Sequence, residues 1–150
     1  MTEHSESRIV PYTADVMYAV VADVERYPEF LPWVVALRVQ SRAREGANEI
    51  LLAEMAVGYR GLRERYTSRV TLDPVARVID VVAIEGPFRR LENHWRFTPD
   101  GTGSRVDFRV LFEFSNRLLQ AAAGNAFGNV LLKMTDAFEA RAASLSQSRA

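Results

Sequence analysis

Residues 105–114 read RVDFRVLFEF, and residues 115–146, which follow directly, read SNRLLQAAAGNAFGNVLLKMTDAFEARAASLS. In the first stretch, apolar side chains alternate with charged ones, which is the pattern of a strand with one buried face. In the second, apolar residues recur at steps of three and four, which predicts a long amphipathic helix from about Ser115 to Ser146, with Ser115 or Asn116 as its N-cap. About 30 helical residues span about 45 Å, which is enough to cross a sheet.

The same period of two extends back from residue 114 to about residue 34. Turn-forming residues separate the alternating segments at hairpin spacing, which favours antiparallel strands. Upstream, the sequence predicts a short strand around Arg8–Tyr12, a helix capped by Thr13 and a second short helix from about Asp23. The chain is therefore predicted to be an α+β domain, with a curved antiparallel sheet of about seven strands wrapped around one long C-terminal helix. Such a sheet readily leaves a cavity beneath the helix.

The composition fits one domain that occupies residues 1–150, with polar tails at about 1–7 and 144–150. Apolar residues make up 48% and charged residues 25% of the chain, and the formal net charge is zero. This balance provides no general attraction to DNA. Cysteine is absent, which excludes disulfides and thiol chemistry. No apolar run is long enough to span a bilayer and no signal-peptide pattern is present, so we expect a soluble, cytoplasmic protein.

The segment Tyr27–Trp33 reads YPEFLPW and places large apolar side chains between two prolines. Because prolines interrupt regular structure, we predict a loop at the rim of the cavity. Phe30 and Trp33 have two alternative roles there. They cover the core, or they gate the cavity and make transient contact with the inner face of the cell membrane.

Several bulky residues fall on the predicted inward faces of the strands. They either fill the core or line a cavity for a flat apolar ligand, because methionine and aromatic walls adapt their packing. Glu64 shares an inward face, where a buried carboxylate needs a partner. It either contacts a polar group of the ligand or pairs with an arginine at the rim. The bulky residues are Met55, Tyr59, Tyr66, Trp95, Phe97, Phe112 and Phe114.

Arg63, Arg65 and Arg69 lie on one outward face of a predicted strand. Such a face is usually just solvated. A row of arginines is also the feature that ribosomal RNA or an anionic lipid surface would bind. We therefore keep both interpretations of this face.

Three motifs resemble the signatures of one protein family. Tyr27–Trp33 is similar to YPxFLPW, Glu64–Ser68 reads ERYTS, and Gly86–Phe97 is similar to GPFxxLxxxWxF. From about Arg8 to Phe138, the chain resembles the coenzyme Q-binding, START-like proteins of the polyketide cyclase/dehydrase superfamily. It departs from many of these relatives at Val34, where they carry cysteine.

The resemblance implies a helix-grip fold with a hydrophobic tunnel between the sheet and the C-terminal helix. It also implies non-catalytic binding of ubiquinone or a related polyisoprenoid quinone, and delivery of that ligand to respiratory electron transport, with no cofactor required. The full set of candidate ligand-binding residues is Phe30, Trp33, Met55, Tyr59, Glu64, Tyr66, Phe88, Leu91, Trp95, Phe97, Phe112, Phe114, Phe127, Leu131 and Met134.

Two other functions stay open at this point. The bacterial ribosome association toxins share these signatures and are described as binding the large ribosomal subunit, which the arginine face would suit. Other members of the superfamily are cyclases and dehydrases, but catalysis requires acid and base groups that converge on a substrate. Glu64 is a single inward carboxylate without an inward histidine, a Ser-His-Asp set or metal-ligand spacing. We therefore expect neither enzymatic activity nor a metal site.

Overall fold

The structure is a computed structural model, and it describes residues 2–59 and 61–148, with the backbone alone described for Leu62, Gln147 and Ser148. The elements in chain order are β1 (Thr2–Val10), α1 (Ala14–Ala22), a 3₁₀ turn (Val24–Arg26), α2 (Tyr27–Phe30), β2 (Val34–Glu45), β3 (Asn48–Tyr59), β4 (Leu62–Asp73), β5 (Val78–Glu85), β6 (Phe88–Asp100), β7 (Gly103–Phe114), α3 (Arg117–Leu132) and α4 (Met134–Ser148).

The described strands form one antiparallel sheet in the order β1-β7-β6-β5-β4-β3-β2. Strands β2 to β7 follow one another across the sheet as successive hairpins, while β1 lies on the far side of β7. The two short helices after β1 therefore carry the chain from one edge of the sheet to the other. The curved sheet and the helical C-terminus confirm the predicted α+β fold.

Strand β1 is longer than predicted. Thr2 pairs with Phe112 and Val10 pairs with Ser104, so residues 2–7 form part of an edge strand rather than the expected polar tail. Met1 lies outside the described residues. An edge strand that is largely exposed to solvent tolerates polar residues at many positions, and this is why its sequence resembles a tail.

The segment predicted as a loop at 27–33 begins with one turn of helix, α2. Pro28 occupies the first turn of this helix, where its missing N–H removes no helical hydrogen bond. Proline therefore begins a helical turn here instead of preventing one. The preceding helix α1 starts as predicted, because the Val16 N–H donates to Thr13 Oγ1 over 3.2 Å.

The long C-terminal helix is present but is interrupted once. Helix α3 begins after Asn116, whose Oδ1 accepts a hydrogen bond from the Leu119 N–H over 2.7 Å. It ends at Lys133, whose N–H turns to the Val130 carbonyl oxygen, and α4 continues directly to Ser148. The predicted tail at 144–150 is thus helical as far as Ser148, and residues 149–150 lie outside the described part of the chain. The apolar stripe continues across Lys133, so its period carries no sign of the interruption.

The core lies between the concave face of the sheet and the helices, and it is rich in aromatic rings. The Trp95 and Phe108 rings stack with their centres 4.2 Å apart, and the Phe138 ring of α4 meets Trp95 edge-on at 5.3 Å. Towards the start of α3, the Phe88 ring stacks on Phe114 at 4.7 Å. The candidate site lies between these two groups of rings.

Candidate ligand-binding cavity

A small cavity of about 60 Å³ lies between β2–β6 and the C-terminal helices. Helix α3 covers it with Phe127, Val130 and Leu131, and Met134 at the start of α4 completes that wall. The other lining residues are Val24, Tyr27, Leu31, Trp33, Val34, Leu37, Ala53, Met55, Val57, Tyr66, Ser68, Val70, Val81, Asn93 and Trp95.

The chemistry of the lining is that of a neutral, apolar site. Among the described residues that line the cavity, none is an aspartate, glutamate, lysine, arginine or histidine. Burial raises the pKa of Tyr66 well above the usual range, and burial does the same to the pKa of Tyr27, so both phenols stay protonated. The Tyr27 hydroxyl donates to the Val21 carbonyl oxygen and is thereby satisfied. The cavity therefore suits an uncharged ligand.

Two polar atoms in this apolar lining have no hydrogen-bond partner in the described part of the chain. They are Ser68 Oγ and Asn93 Oδ1, and both are fully shielded from solvent. A buried polar atom without a partner costs about 1–3 kcal/mol. A third such atom, Thr135 Oγ1, lies in α4 outside the cavity lining. The cavity thus contains unused hydrogen-bonding capacity at two places.

The structure places part of the predicted ligand-binding set in this cavity. The members that line it are Trp33, Met55, Tyr66, Trp95, Phe127, Leu131 and Met134. The members that lie outside the lining are Phe30, Tyr59, Glu64, Phe88, Leu91, Phe97, Phe112 and Phe114.

Most of the predicted residues outside the lining are packed into the core. Phe112 and Phe114 enclose the Phe127 ring of α3 at centre distances of 4.9 and 5.8 Å, and the Phe88 ring also packs against it at 5.0 Å. Phe97 stacks against Trp95 with ring centres 6.0 Å apart, and Leu91 is fully buried. Strand alternation identified their inward direction but not which of them would meet the cavity.

Segment 27–33 contributes Tyr27, Leu31 and Trp33 to the lining of the cavity. Trp33, expected at an exposed rim, is only 6% exposed, and Leu31 is completely buried. The Phe30 ring packs edge-on against Tyr27 and Phe138, and the Arg141 guanidinium lies 4.9 Å from its centre. The large side chains of this segment are therefore turned towards the protein, which removes the basis for a membrane contact through Trp33.

Glu64 lies on the inward face of β4 as predicted and is half-buried. It pairs in register with Val57, whose side chain lines the cavity, but Glu64 itself is not part of the lining. It forms no ion pair within the described residues, so the expected pairing with an arginine is not found. Its contact with a ligand stays a prediction.

Tyr59, at the end of β3, contacts Lys133, the residue between α3 and α4. Its hydroxyl oxygen accepts a hydrogen bond from Lys133 Nζ over 2.7 Å. The ammonium group also lies 4.9 Å from the centre of the Tyr59 ring. Tyr59 therefore positions the helix that covers the cavity instead of lining the cavity.

Ser68 and Asn93 are the polar lining residues that were absent from the predicted set. Both occupy inward positions that the period of two identifies, since Ser68 stands between Tyr66 and Val70 and Asn93 between Leu91 and Trp95. A polar residue flanked by bulky inward neighbours was the available signal.

Gly86 brings the GPF motif against the wall of the cavity. Its φ is +132°, and a Cβ atom at this position would lie 2.5 Å from the Cβ of Tyr66. The absence of a side chain lets the turn between β5 and β6 approach Tyr66 closely. The Phe88 ring then meets the Tyr66 ring edge-on at 5.2 Å.

The arginine face lies on the convex side of the sheet, away from the cavity. Arg63, Arg65 and Arg69 are all exposed on β4. Arg65 pairs with Glu54 at 3.1 Å, whereas Arg63 and Arg69 form no ion pair within the described residues. Two of the three arginines on this face therefore have no carboxylate partner in the described part of the chain.

These features define a class of protein. A curved antiparallel sheet that closes on a C-terminal helix around a neutral apolar cavity is the helix-grip arrangement of a domain that binds hydrophobic ligands. Among the described residues, no helix has both the length and the apolar character needed to cross a membrane.

Comparison with known proteins identifies the family. The model of the family described as polyketide cyclase/dehydrase and lipid transport matches residues 10–139. The chain therefore belongs to this family. A START superfamily protein from Mycobacterium smegmatis shares the fold, with a TM-score of 0.79 at 19% identity over 95% of this chain and 98% of that protein.

Relatives of higher sequence identity include a ribosome association toxin and a coenzyme Q-binding protein. Ribosome association toxin RatA of Rickettsia prowazekii is 35% identical, over 95% of this chain and 97% of that protein. Coenzyme Q-binding protein COQ10 homolog B of Xenopus laevis is also 35% identical, over 93% of this chain and 57% of that protein. An 18 kDa protein of Caulobacter crescentus, solved in solution, is 39% identical with a TM-score of 0.80, over 98% of this chain and 99% of that protein.

Proposed function

We propose that this protein binds a neutral polyisoprenoid quinone, most simply ubiquinone, and delivers it to respiratory electron transport without altering it. The observation that carries the proposal is the uncharged, apolar cavity enclosed between the sheet and α3, with two polar atoms still able to form hydrogen bonds. The name of the Xenopus relative supports the same ligand class.

A quinone needs more room than the cavity of about 60 Å³ provides, because small-molecule pockets measure about 300–1,000 Å³. We infer that α3 moves away from the sheet to admit the ligand. Helix α4 is the better anchored of the two C-terminal helices, since Arg8 of β1 bonds to both Asp136 and Glu139. Lys133, between the two helices, is then the natural position for a hinge.

The proposed role is binding rather than catalysis. General acid–base chemistry needs a group whose pKa lies near the working pH and which reaches the substrate. The described lining offers two tyrosines with raised pKa values, one serine and one asparagine, and none of these exchanges protons near neutral pH. The family description includes cyclases and dehydrases, but the described lining of this cavity lacks the acid and base groups that such reactions require.

Delivery of the ligand to a membrane requires a surface that contacts lipid. The outer face of α3 is better suited to that contact than segment 27–33 is. No charged residue occurs from Leu118 to Leu132, and those two leucines are 82% and 55% exposed. Arg117 and Lys133 flank this stretch, as cations do at the edges of a surface that meets lipid headgroups. We propose that the protein works in the cytoplasm and touches the membrane through this outer face of α3.

Organic extraction of freshly purified protein, followed by mass spectrometry against a mock purification, tests the ligand. We expect a polyisoprenoid quinone in the extract. Leu131→Arg places a charge in the cavity wall and should abolish uptake of added ubiquinone in membrane-free solution. Leu132→Arg is the matched control, because the next residue along α3 faces outward. A protein that contains no quinone and takes up none overturns the proposal.

Flotation with vesicles of phosphatidylcholine and phosphatidylglycerol tests the membrane contact. We expect Leu118→Glu to reduce flotation several-fold. Val75→Glu makes the same kind of change at an exposed residue in the turn before β5 and should have no effect. Equal flotation of both variants would show that α3 is not the contact surface.

A ribosome-directed role is the second candidate, favoured by the exposed arginines of β4 and by the name of the Rickettsia relative. Co-sedimentation with large ribosomal subunits tests it. Arg63→Glu with Arg69→Glu should then abolish binding, whereas Arg105→Glu with Arg109→Glu, an equal change of charge near the opposite edge of the sheet, should not. Wild-type protein that never co-sediments dismisses this role.

A further inference from the structure

We propose that Ser68 and Asn93 hold the polar ring of the ligand, and that they accept both its oxidised and its reduced form. This inference rests on the proposed function, because it assigns residues to the head of a quinone. It assigns the polar contact to two residues of the cavity lining, to which Glu64 does not belong.

The two side chains belong to one wall of the cavity. Ser68 of β4 pairs in register with Ala83 of β5, and Asn93 of β6 pairs with Val81 of the same strand. They therefore lie on either side of β5, which separates them by about two strand spacings, or about 10 Å. Both side chains reach the cavity, whereas Val81 between them offers only an apolar surface.

The need for a polar ligand follows from what surrounds these atoms. Ser68 is only 5% exposed, and neither Ser68 Oγ nor Asn93 Oδ1 has a hydrogen-bond partner in the described part of the chain. A pure hydrocarbon would leave both atoms unsatisfied. A ring that carries oxygen atoms can satisfy them while its tail occupies the apolar remainder of the cavity.

The identity of the two side chains explains why either redox form would fit. A serine hydroxyl donates or accepts, and an asparagine amide offers a donor and an acceptor that exchange places when the amide turns over. A quinone carbonyl only accepts, whereas a quinol hydroxyl does both. Because no lining residue among those described titrates near neutral pH, binding involves no proton transfer and leaves the redox state of the ligand unchanged.

Equilibrium dialysis with three small probes tests this assignment: 1,4-naphthoquinone, its reduced diol kept under anaerobic conditions, and naphthalene. We expect wild-type protein to prefer both oxygenated probes over naphthalene. Ser68→Ala and Asn93→Leu should each reduce that preference about tenfold, because they weaken binding of the oxygenated probes while the remaining apolar lining still binds naphthalene. Both variants remove an unsatisfied buried atom, so they should unfold at the wild-type temperature or above it.

Thr135→Val is the matched control, because it removes the third unsatisfied hydroxyl, which lies outside the cavity. It should keep the wild-type preference. If wild-type protein binds ubiquinone and the two cavity variants keep its preference, this inference falls and the proposed function stands. If the preference depends on Ser68 and Asn93 but no prenylated quinone binds, the inference stands and the proposed function falls. If no probe binds, both fall.

Discussion

Lys133 Nζ donates a hydrogen bond of 2.7 Å to the hydroxyl oxygen of Tyr59, and this contact ties the sheet to the interruption of the C-terminal helix. The single lysine of the chain thus stands where α3 ends and α4 begins. Since α3 covers the cavity and α4 is fastened to β1 through Arg8, the contact holds the end of the cover in place.

Tyr59→Phe should therefore speed ligand uptake. The substitution keeps the aromatic ring near the ammonium group but removes the hydrogen bond, which releases the end of α3. Because the contact is exposed, we expect the free energy of unfolding to fall by less than about 1 kcal/mol. Stopped-flow quenching of tryptophan fluorescence by a short-chain ubiquinone measures the rate, since both tryptophans of the chain, Trp33 and Trp95, line the cavity.

Tyr18→Phe provides the control for this rate. The Tyr18 hydroxyl forms no hydrogen bond within the described residues, and its ring packs against Phe97 away from α3. Uptake by this variant should match that of the wild type. If Tyr59→Phe also takes up quinone at the wild-type rate, the end of α3 does not control access to the cavity.

The sheet could be predicted from the sequence because one physical rule, the alternation of side chains along a strand, operates over most of its length. The same rule identified Tyr66 and Trp95 as inward residues of the cavity wall. It was less informative for residues 2–7, where an edge strand exposed to solvent has little apolar alternation to detect. These residues are identified as a strand by their pairing with β7, which the local sequence does not reveal.

The extent of the cavity depended on information that alternation does not carry. Phe112 and Phe114 point inward like Tyr66, yet they enclose Phe127 and do not line the cavity. Which inward side chains meet a cavity depends on how far the sheet bends from α3, and this is set by contacts between distant strands. The helical period of the apolar stripe likewise continues across Lys133, so it does not reveal where α3 ends.

Ligand affinity should not depend on pH between about pH 5 and pH 9. The described lining contains no carboxylate, imidazole or amine, and the pKa values of Tyr27 and Tyr66 are raised by burial, further from this range. Titration of the protein with a short-chain ubiquinone at several pH values measures this. An affinity that changes tenfold or more across the range would place an ionisable group in contact with the ligand.

Stability, in contrast, should fall at alkaline pH. Burial raises the pKa of Tyr66 above its usual value of about 10, so above about pH 10 the unfolded chain loses a proton that the folded protein keeps. Unfolding is then favoured by about 1.4 kcal/mol per pH unit for this residue, whereas below about pH 10 its stabilising effect is fully present. Burial also raises the pKa of Tyr18, to about 12, in the same direction.

Urea unfolding of wild-type protein and Tyr66→Phe at pH 8 and at higher pH measures this effect. As the pH rises from 10 to 11, the free energy of unfolding should fall more steeply for the wild type than for the variant, because the variant lacks the phenol that ionises on unfolding. If the free energies of unfolding of the two proteins change in parallel with pH, Tyr66 is not buried as described.

Gly128→Ala should stabilise α3 without affecting the cavity. A Cβ atom at this position meets nothing within 4 Å, so the helix gains the higher propensity of alanine, worth about 1 kcal/mol. Thermal unfolding should then shift upwards by about 2–4 °C. Gly86→Ala is the contrasting variant, because its Cβ atom would lie 2.5 Å from Tyr66 Cβ at a φ of +132°, and it should lower the unfolding temperature. If Gly128→Ala destabilises the protein instead, α3 approaches a neighbouring element more closely than the structure places it.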